Sequence, residues 1–153
     1  MAKILKIGDI FEIRTPKGLA YMQYTLKDAA MGHLIRILPG IFKDRPDSFK
    51  NIALSKELYF IFFPLAAAVN RKIVSFVANE EIPSWARKKP IMKREGGITR
   101  EGKVLNWFIN EGERQIIVDS LTEEQKKYSP EAIWNDTMLI ERICKGWLPK
   151  DEA

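Results

Sequence analysis

Seven lysines and arginines stand in the twenty residues Ser84–Lys103, SWARKKPIMKREGGITREGK, against two glutamates. Arg87, Lys88, Lys89, Lys93, Arg94, Arg100 and Lys103 have the charge to neutralise phosphates, and Trp85 has a face on which a base could stack. The spacing follows no helix face. Pro83, Pro90 and Gly96-Gly97 interrupt any regular element, and no nucleic-acid module signature accompanies them. The segment 83–103 therefore reads as a basic connecting loop between two β-rich blocks. Its functional content is a surface for an acidic protein partner, built from Trp85, Arg87, Lys88, Lys89, Lys93 and Arg94 with Trp85 as the anchor. The alternative is a nucleic-acid contact along 87–103.

Other residue types offer less. The chain has one histidine, His33, and one cysteine, Cys144, so the usual zinc sets of about four Cys/His ligands are excluded. His33 beside a strand reads as a satisfied polar residue. Cys144 falls in the last turns of a helix, where the negative end of the dipole disfavours a thiolate. Carboxylate chemistry would need converging acids. Glu80-Glu81 are adjacent and point to opposite faces of a strand, while Asp44 and Asp47 sit in a loop. No phosphate loop, GxGxxG, HExxH, CxxC or GxSxG is present, so neither a metal nor a cofactor is expected.

Of the 153 residues, 46% are hydrophobic and 29% charged, which supports a packed core in one domain, 1–153. The net charge of +5 is polarised: residues 1–82 carry +4, 83–103 carry +5 and 104–153 carry −4. Such asymmetry bears on encounter and partner choice, not on fold. The most apolar run, Leu58–Val69, is twelve residues, against the roughly 20 a membrane span needs. No secretory signal is visible, and a lone cysteine suits a reducing cytoplasm.

The elements that must position any site follow from local pattern. Ile10–Arg14 and Leu19–Tyr24 form a hairpin around the turn TPKG, with Phe11 and Ile13 on one face and Glu12 and Arg14 on the other. His33–Leu38 is a strand, and IFKDRPDSFKN is loop-like. Leu58–Phe63 reads as a central strand, Pro64 opens a short helix, and Ile73–Ala78 returns as a strand. VLNWFINEGERQIIVDSL is a second hairpin turning at Gly112, with Leu105, Trp107 and Ile109 alternating against Ile117 and its neighbours. Thr122 and Gln125 make a capping box, and Ser129-Pro130 offers a further helix start. NDTMLIERICKGW is helical, with a Leu139, Ile140, Ile143 and Trp147 stripe and a Gly146 cap; Asn135-Asp136 either breaks or re-caps this helix.

The run KIGDIFEIRTPKGLAYMQY resembles the opening of the immunity protein 26 family of bacterial toxin-neutralising proteins, through Ile7-Gly8-Asp9, Gly18 and Tyr21. LYFIFFPLAAAVNRKIV resembles that family's strand, Pro-initiated short helix and returning strand, while IWNDTMLIERICKGW is closer to uncharacterised bacterial relatives. The resemblance covers the first half of the chain. It implies a non-catalytic binding protein that neutralises a cognate toxin by contact. It also implies a strongly curved, SH3-like N-terminal sheet. Inhibitors of nuclease toxins tend to be acidic and this chain is basic, so a nuclease partner would have to meet the acidic C-terminal third (Glu123, Glu124, Glu131, Asp136, Glu141). The expected architecture is α+β: a strongly curved antiparallel sheet packed by the Pro64 helix and C-terminal helices. The expected function is immunity-like protein binding, with nucleic-acid association as runner-up and a small carboxylate enzyme third.

Overall fold

Period-two alternation of apolar residues builds the first sheet. The computed structural model describes residues 3–152. Strands β1 (Asp9–Thr15), β2 (Gly18–Asp28), β3 (Gly32–Ile37), β4 (Tyr59–Phe62) and β5 (Val74–Asn79) join in the order β4-β3-β2-β1-β5, with antiparallel neighbours throughout. Phe11, Ile13, Met22, Tyr24, Ile35, Ile37 and Ile61 line one face. Helix α2 (Leu65–Asn70) crosses that face to carry the chain from edge strand β4 to edge strand β5, and α4 (Asp136–Lys145) adds Leu139 to it. Each large apolar side chain fully buried there contributes roughly 1.5–3 kcal/mol.

The opposite face of this sheet is covered too. Ile10, Tyr21 and Leu38 pack with Phe49 and Ala53, the latter on a short helix α1 (Lys50–Leu54) that starts at the end of the stretch read as loop. Leu34, Phe60 and Phe62 pack with Ile82, Ala86 and Met92, which lead into a second sheet. Glu12, on the face opposite Phe11 and Ile13, is therefore buried. It accepts from Tyr21 Oη at 2.8 Å and from Arg45 Nε and Nη2 at 2.7 and 2.9 Å. The Arg45 guanidinium holds its carboxyl below the usual glutamate range.

The second sheet contains β6 (Met92–Ile98), β7 (Val104–Glu111), β8 (Arg114–Val118) and β9 (Ser129–Pro130), in the order β8-β7-β6-β9. The segment 83–103 is thus not a connecting loop. After a 3-10 turn at Ser84–Ala86 it enters β6, which pairs with β7 on one side and β9 on the other. The glycines that argued against a strand mark irregular pairing within one: the register shifts on both sides of Gly97. A Cβ on Gly96 would meet the Asn106 amide, which would have to shift aside.

The α+β class holds, with mostly antiparallel sheets. The strongly curved, SH3-like barrel does not form, because both sheets are open and their strand orders do not close. Leu58–Phe63 supplies an edge strand, not a central one. Its four strand residues are nevertheless buried, because segment 129–134 lies along it: Phe60 N–H donates to Ser129 Oγ, Phe62 N–H to Ala132 O and Trp134 N–H to Phe62 O. Ser129-Pro130 lies in strand β9 parallel to β6 instead of opening a helix. Thr122 and Gln125 do form the capping box of α3 (Glu123–Lys126). Asn135 re-caps α4, its Oδ1 accepting from Met138 N–H at 2.8 Å, and Gly146 closes the helix in the left-handed region at φ 65.

Candidate functional site

Six residues were expected to form one partner surface, and the fold disperses them. Trp85 is half exposed and its indole N–H donates to Glu57 Oε1 at 3.2 Å. Arg87 is tied to Glu81 at 2.6 Å and donates to the Ile82 carbonyl at 2.9 Å. Lys89 lies 3.0 Å from Glu131 and 3.6 Å from Asp28. Arg94 approaches the same Glu131 at 3.9 Å and covers the Phe108 ring at 5.2 Å. Lys88 is exposed and has no ion pair among the described residues. Lys93 is buried. Arg87, Lys89 and Arg94 are thus answered by carboxylates of the same chain, which weakens a phosphate-tracking reading.

The expected result on an immobilised duplex DNA column at ~150 mM salt is no retention of the wild-type chain. Replacing Arg87, Lys88, Lys89 and Arg94 together by alanine changes nothing in that elution. Wild-type retention that disappears in the fourfold variant would reinstate the nucleic-acid alternative.

Trp85 closes a buried polar cluster. Arg36, directly across from Gln23 in the β2–β3 register, is fully buried. Its Nε donates to Gln23 Oε1 at 2.8 Å, its Nη1 to Glu57 Oε1 at 3.1 Å and to Ser55 O at 3.0 Å, and its Nη2 to Ala53 O. Gln23 in turn donates to the carbonyls of Gly8 and Glu80. Each nitrogen of the Arg36 guanidinium and the Gln23 amide nitrogen donates to at least one protein acceptor, so the cluster ties α1 and the β5 exit to the sheet.

A second buried cation lies on the second sheet, beside two cavities. Strand alternation sends Lys93 and Glu95 to one face of β6 and Arg94 to the other. Lys93 is 1% exposed. Its Nζ donates to the carbonyl oxygens of Lys126 (2.9 Å), Pro149 (2.7 Å) and Glu152 (3.0 Å), which uses all three of its hydrogens. It also lies 5.4 Å from the centre of the Trp107 ring. Burial pushes the ammonium down to about 8, against the opposing pull of Glu152 and Glu95. The Glu95 carboxyl sits above its ordinary range, through burial and the neighbouring Glu152 carboxylate.

A cavity of about 560 Å³ opens over this face, lined by Glu95, Trp107, Asp119, Leu121, Lys126 and Glu152 among others. A second, of about 240 Å³, shares Glu95, Trp107 and Glu152 and adds Lys93, Arg94 and Glu131. None of Glu95, Trp107 or Glu152 belongs to the set singled out from sequence. The period-two placement of Lys93 and Glu95 was the available signal, hidden by Pro90 and Gly96-Gly97.

The remaining candidates fall elsewhere. Asp44 and Asp47 are exposed, and Glu81 is engaged with Arg87. His33 packs edge-on against Tyr24 at 5.2 Å, and burial together with Lys27 pushes its pKa down. Cys144 is partly buried near the end of α4. Among the described residues no group of three or more His, Cys, Asp or Glu side chains is placed to hold a metal ion, and no helix is long and apolar enough to cross a membrane. Comparison with protein-family models, with curated proteins and with solved structures finds no match to this chain.

Proposed function

We propose that this chain is a non-catalytic protein-binding module whose contact surface is the outer part of the second sheet. The observation that carries this reading is β8, where four of the five residues are exposed and the fifth is half-buried. Ile116 and Ile117 are 46% and 61% exposed, and Leu105 on β7 and Ile98 on β6 are 58% and 56% exposed. Within its sheet β8 pairs with β7 alone, so its other edge presents unpaired backbone donors and acceptors beside apolar side chains. An edge of that kind is suited to receiving a partner strand.

The specific form implied by the N-terminal resemblance is immunity: neutralisation of a cognate bacterial toxin by contact, in the cytoplasm. Coexpression with the product of the adjacent gene tests it. Expected is a complex that copurifies and relieves that product's toxicity. Ile117→Asp, on an exposed side chain, is expected to abolish copurification while leaving thermal unfolding within about 0.5 kcal/mol of wild type. Undiminished copurification by Ile117→Asp would move the contact away from β8, and the absence of any complex would remove the immunity form.

A further inference from the structure

Strand β8 is complementary to itself. Its residues Arg114–Val118, RQIIV, pair with β7 in unbroken register, from Arg114 opposite Glu111 to Val118 opposite Trp107. Proline, a bulge or a charge in mid-strand usually guards a sheet edge. β8 has none of these, and its single charge, Arg114, stands at its start. Ile116 and Ile117 project to opposite faces and both are exposed, the side-chain pattern of a strand inside a sheet and not at its rim. We infer that this edge is filled by β8 of a second copy of the chain, antiparallel about a twofold axis at Ile117. The inference rests on the reading of β8 as an edge that receives a strand.

Side-chain matching selects the second copy and its register. Opposed residues of an antiparallel pair share a face, so a twofold axis through the sheet must pass at a residue that opposes itself. With the axis at Ile117, Ile117 meets Ile117, Ile116 meets Val118 and Gln115 meets Asp119. Apolar groups then oppose apolar groups, and an amide opposes a carboxylate it can donate to. With the axis at Ile116, Gln115 meets Ile117 and Glu113 meets Asp119, a mismatch and a like-charge pair. With the axis at Val118, Ile117 meets Asp119; with it at Gln115, Ile117 meets Glu113 and Ile116 meets Arg114. Only the Ile117 axis opposes like with like along the whole strand.

The backbone agrees with that register. Only Gly112 and Glu113 separate Glu111 from Arg114, and Gly112 turns at φ 60. In such a two-residue hairpin the closing pair exchanges its backbone hydrogen bonds, so bonding to β7 falls at Arg114, Ile116 and Val118. Gln115 and Ile117 therefore direct their N–H and C=O groups outward, and the Ile117 axis opposes those same positions. The far side of this sheet is closed, because the segment 129–134 lies along β4. The sheet thus has one open edge, and pairing of like edges stops at two copies.

The test uses the full-length chain alone, by sedimentation equilibrium up to ~100 µM, since an edge-to-edge contact of this size is weak. The wild-type mass is expected to rise toward twice that of the monomer. Ile117→Asp sets two carboxylates against each other and is expected to stay monomeric. The register is read from disulfides in a Cys144→Ser background. Across the Ile117 axis the Cα atoms lie about 5.5 Å apart, within disulfide reach, whereas Ile116 and its own copy lie about 8 Å apart. Ile117→Cys is therefore expected to crosslink roughly tenfold faster than Ile116→Cys. A monomeric wild type throughout that range, a dimeric Ile117→Asp, or equal crosslinking of the two cysteine variants overturns the inference. A monomeric chain that still captures the adjacent gene's product overturns self-pairing alone, and a dimer that captures nothing overturns the contact with another protein alone.

Discussion

Arg36→Met is expected to cost about 3–5 kcal/mol of folding stability, read from the urea midpoint at unchanged slope. The guanidinium is fully buried and directs donors at Gln23, Glu57 and the Ser55 and Ala53 carbonyls. Methionine fills much of the same volume, so the loss is not mainly one of packing. What remains is a nearly buried Glu57 carboxylate that keeps Lys56 and Trp85 but loses its inward partner. The sharper expectation concerns the pair. Arg36→Met with Glu57→Leu removes the stranded charge as well and recovers most of the loss, because a buried ion pair adds little over an apolar replacement while a broken one is expensive. A double variant no more stable than the single one would show that the carbonyl contacts, not the ion pair, hold α1 against the sheet.

Lys93→Met is the second large effect, about 3 kcal/mol. Each buried acceptor left without its donor costs roughly 1–3 kcal/mol, and here three carbonyls lose the same ammonium together. Removing the ammonium also removes a desolvation cost, visible in its depressed pKa, and this keeps the sum below three full penalties. The loss is expected to be local first. Hydrogen exchange of the Asp151 and Glu152 amides should quicken well before the sheet-one amides of β1–β3 respond, since Lys93 fastens the C-terminal segment Leu148–Glu152 to β6. Uniform acceleration across both sheets would instead make Lys93 part of the global core.

The second sheet shows how far local pattern reaches. The hairpin of β7 and β8 was legible because turn chemistry at Gly112 and alternation across it are short-range. Its exact pairing was not: Ile109 faces Ile116 and Trp107 faces Val118, while Ile117 stands opposite Phe108. Leu105, grouped with Trp107 and Ile109 by alternation, is exposed while those two are buried. Strand β6 was missed for a different reason. Pro90 lies just before it, and Gly96-Gly97 fall where its pairing with β7 is irregular, so residues that usually end a strand here flank or bend one. With the strand unseen, Lys93 and Arg94 counted as two equal members of a basic patch, whereas they project to opposite faces and meet opposite fates.

Sequence alone determined the elements whose causes lie within a few residues. These are the β1–β2 hairpin, the Pro64-initiated helix, the Thr122 capping box, and the Asn135 and Gly146 ends of α4. Each rests on a backbone preference or on a hydrogen bond spanning about four residues, and neither needs the rest of the chain. Tertiary structure alone decided what the charged residues do. Glu12, Arg36 and Lys93 sit in stretches that look solvated in one dimension. They became buried because a second layer, supplied by α1, Arg45, the 82–92 segment and residues Leu148–Glu152, closes over them. A charge tolerates that only where acceptors or donors from distant positions converge on it. The basic stretch Ser84–Lys103 was thereby divided. Part of it became ion pairs, part of it became the buried Lys93 beside the second-sheet cavities, and the exposed apolar edge lies further along the chain, at β8.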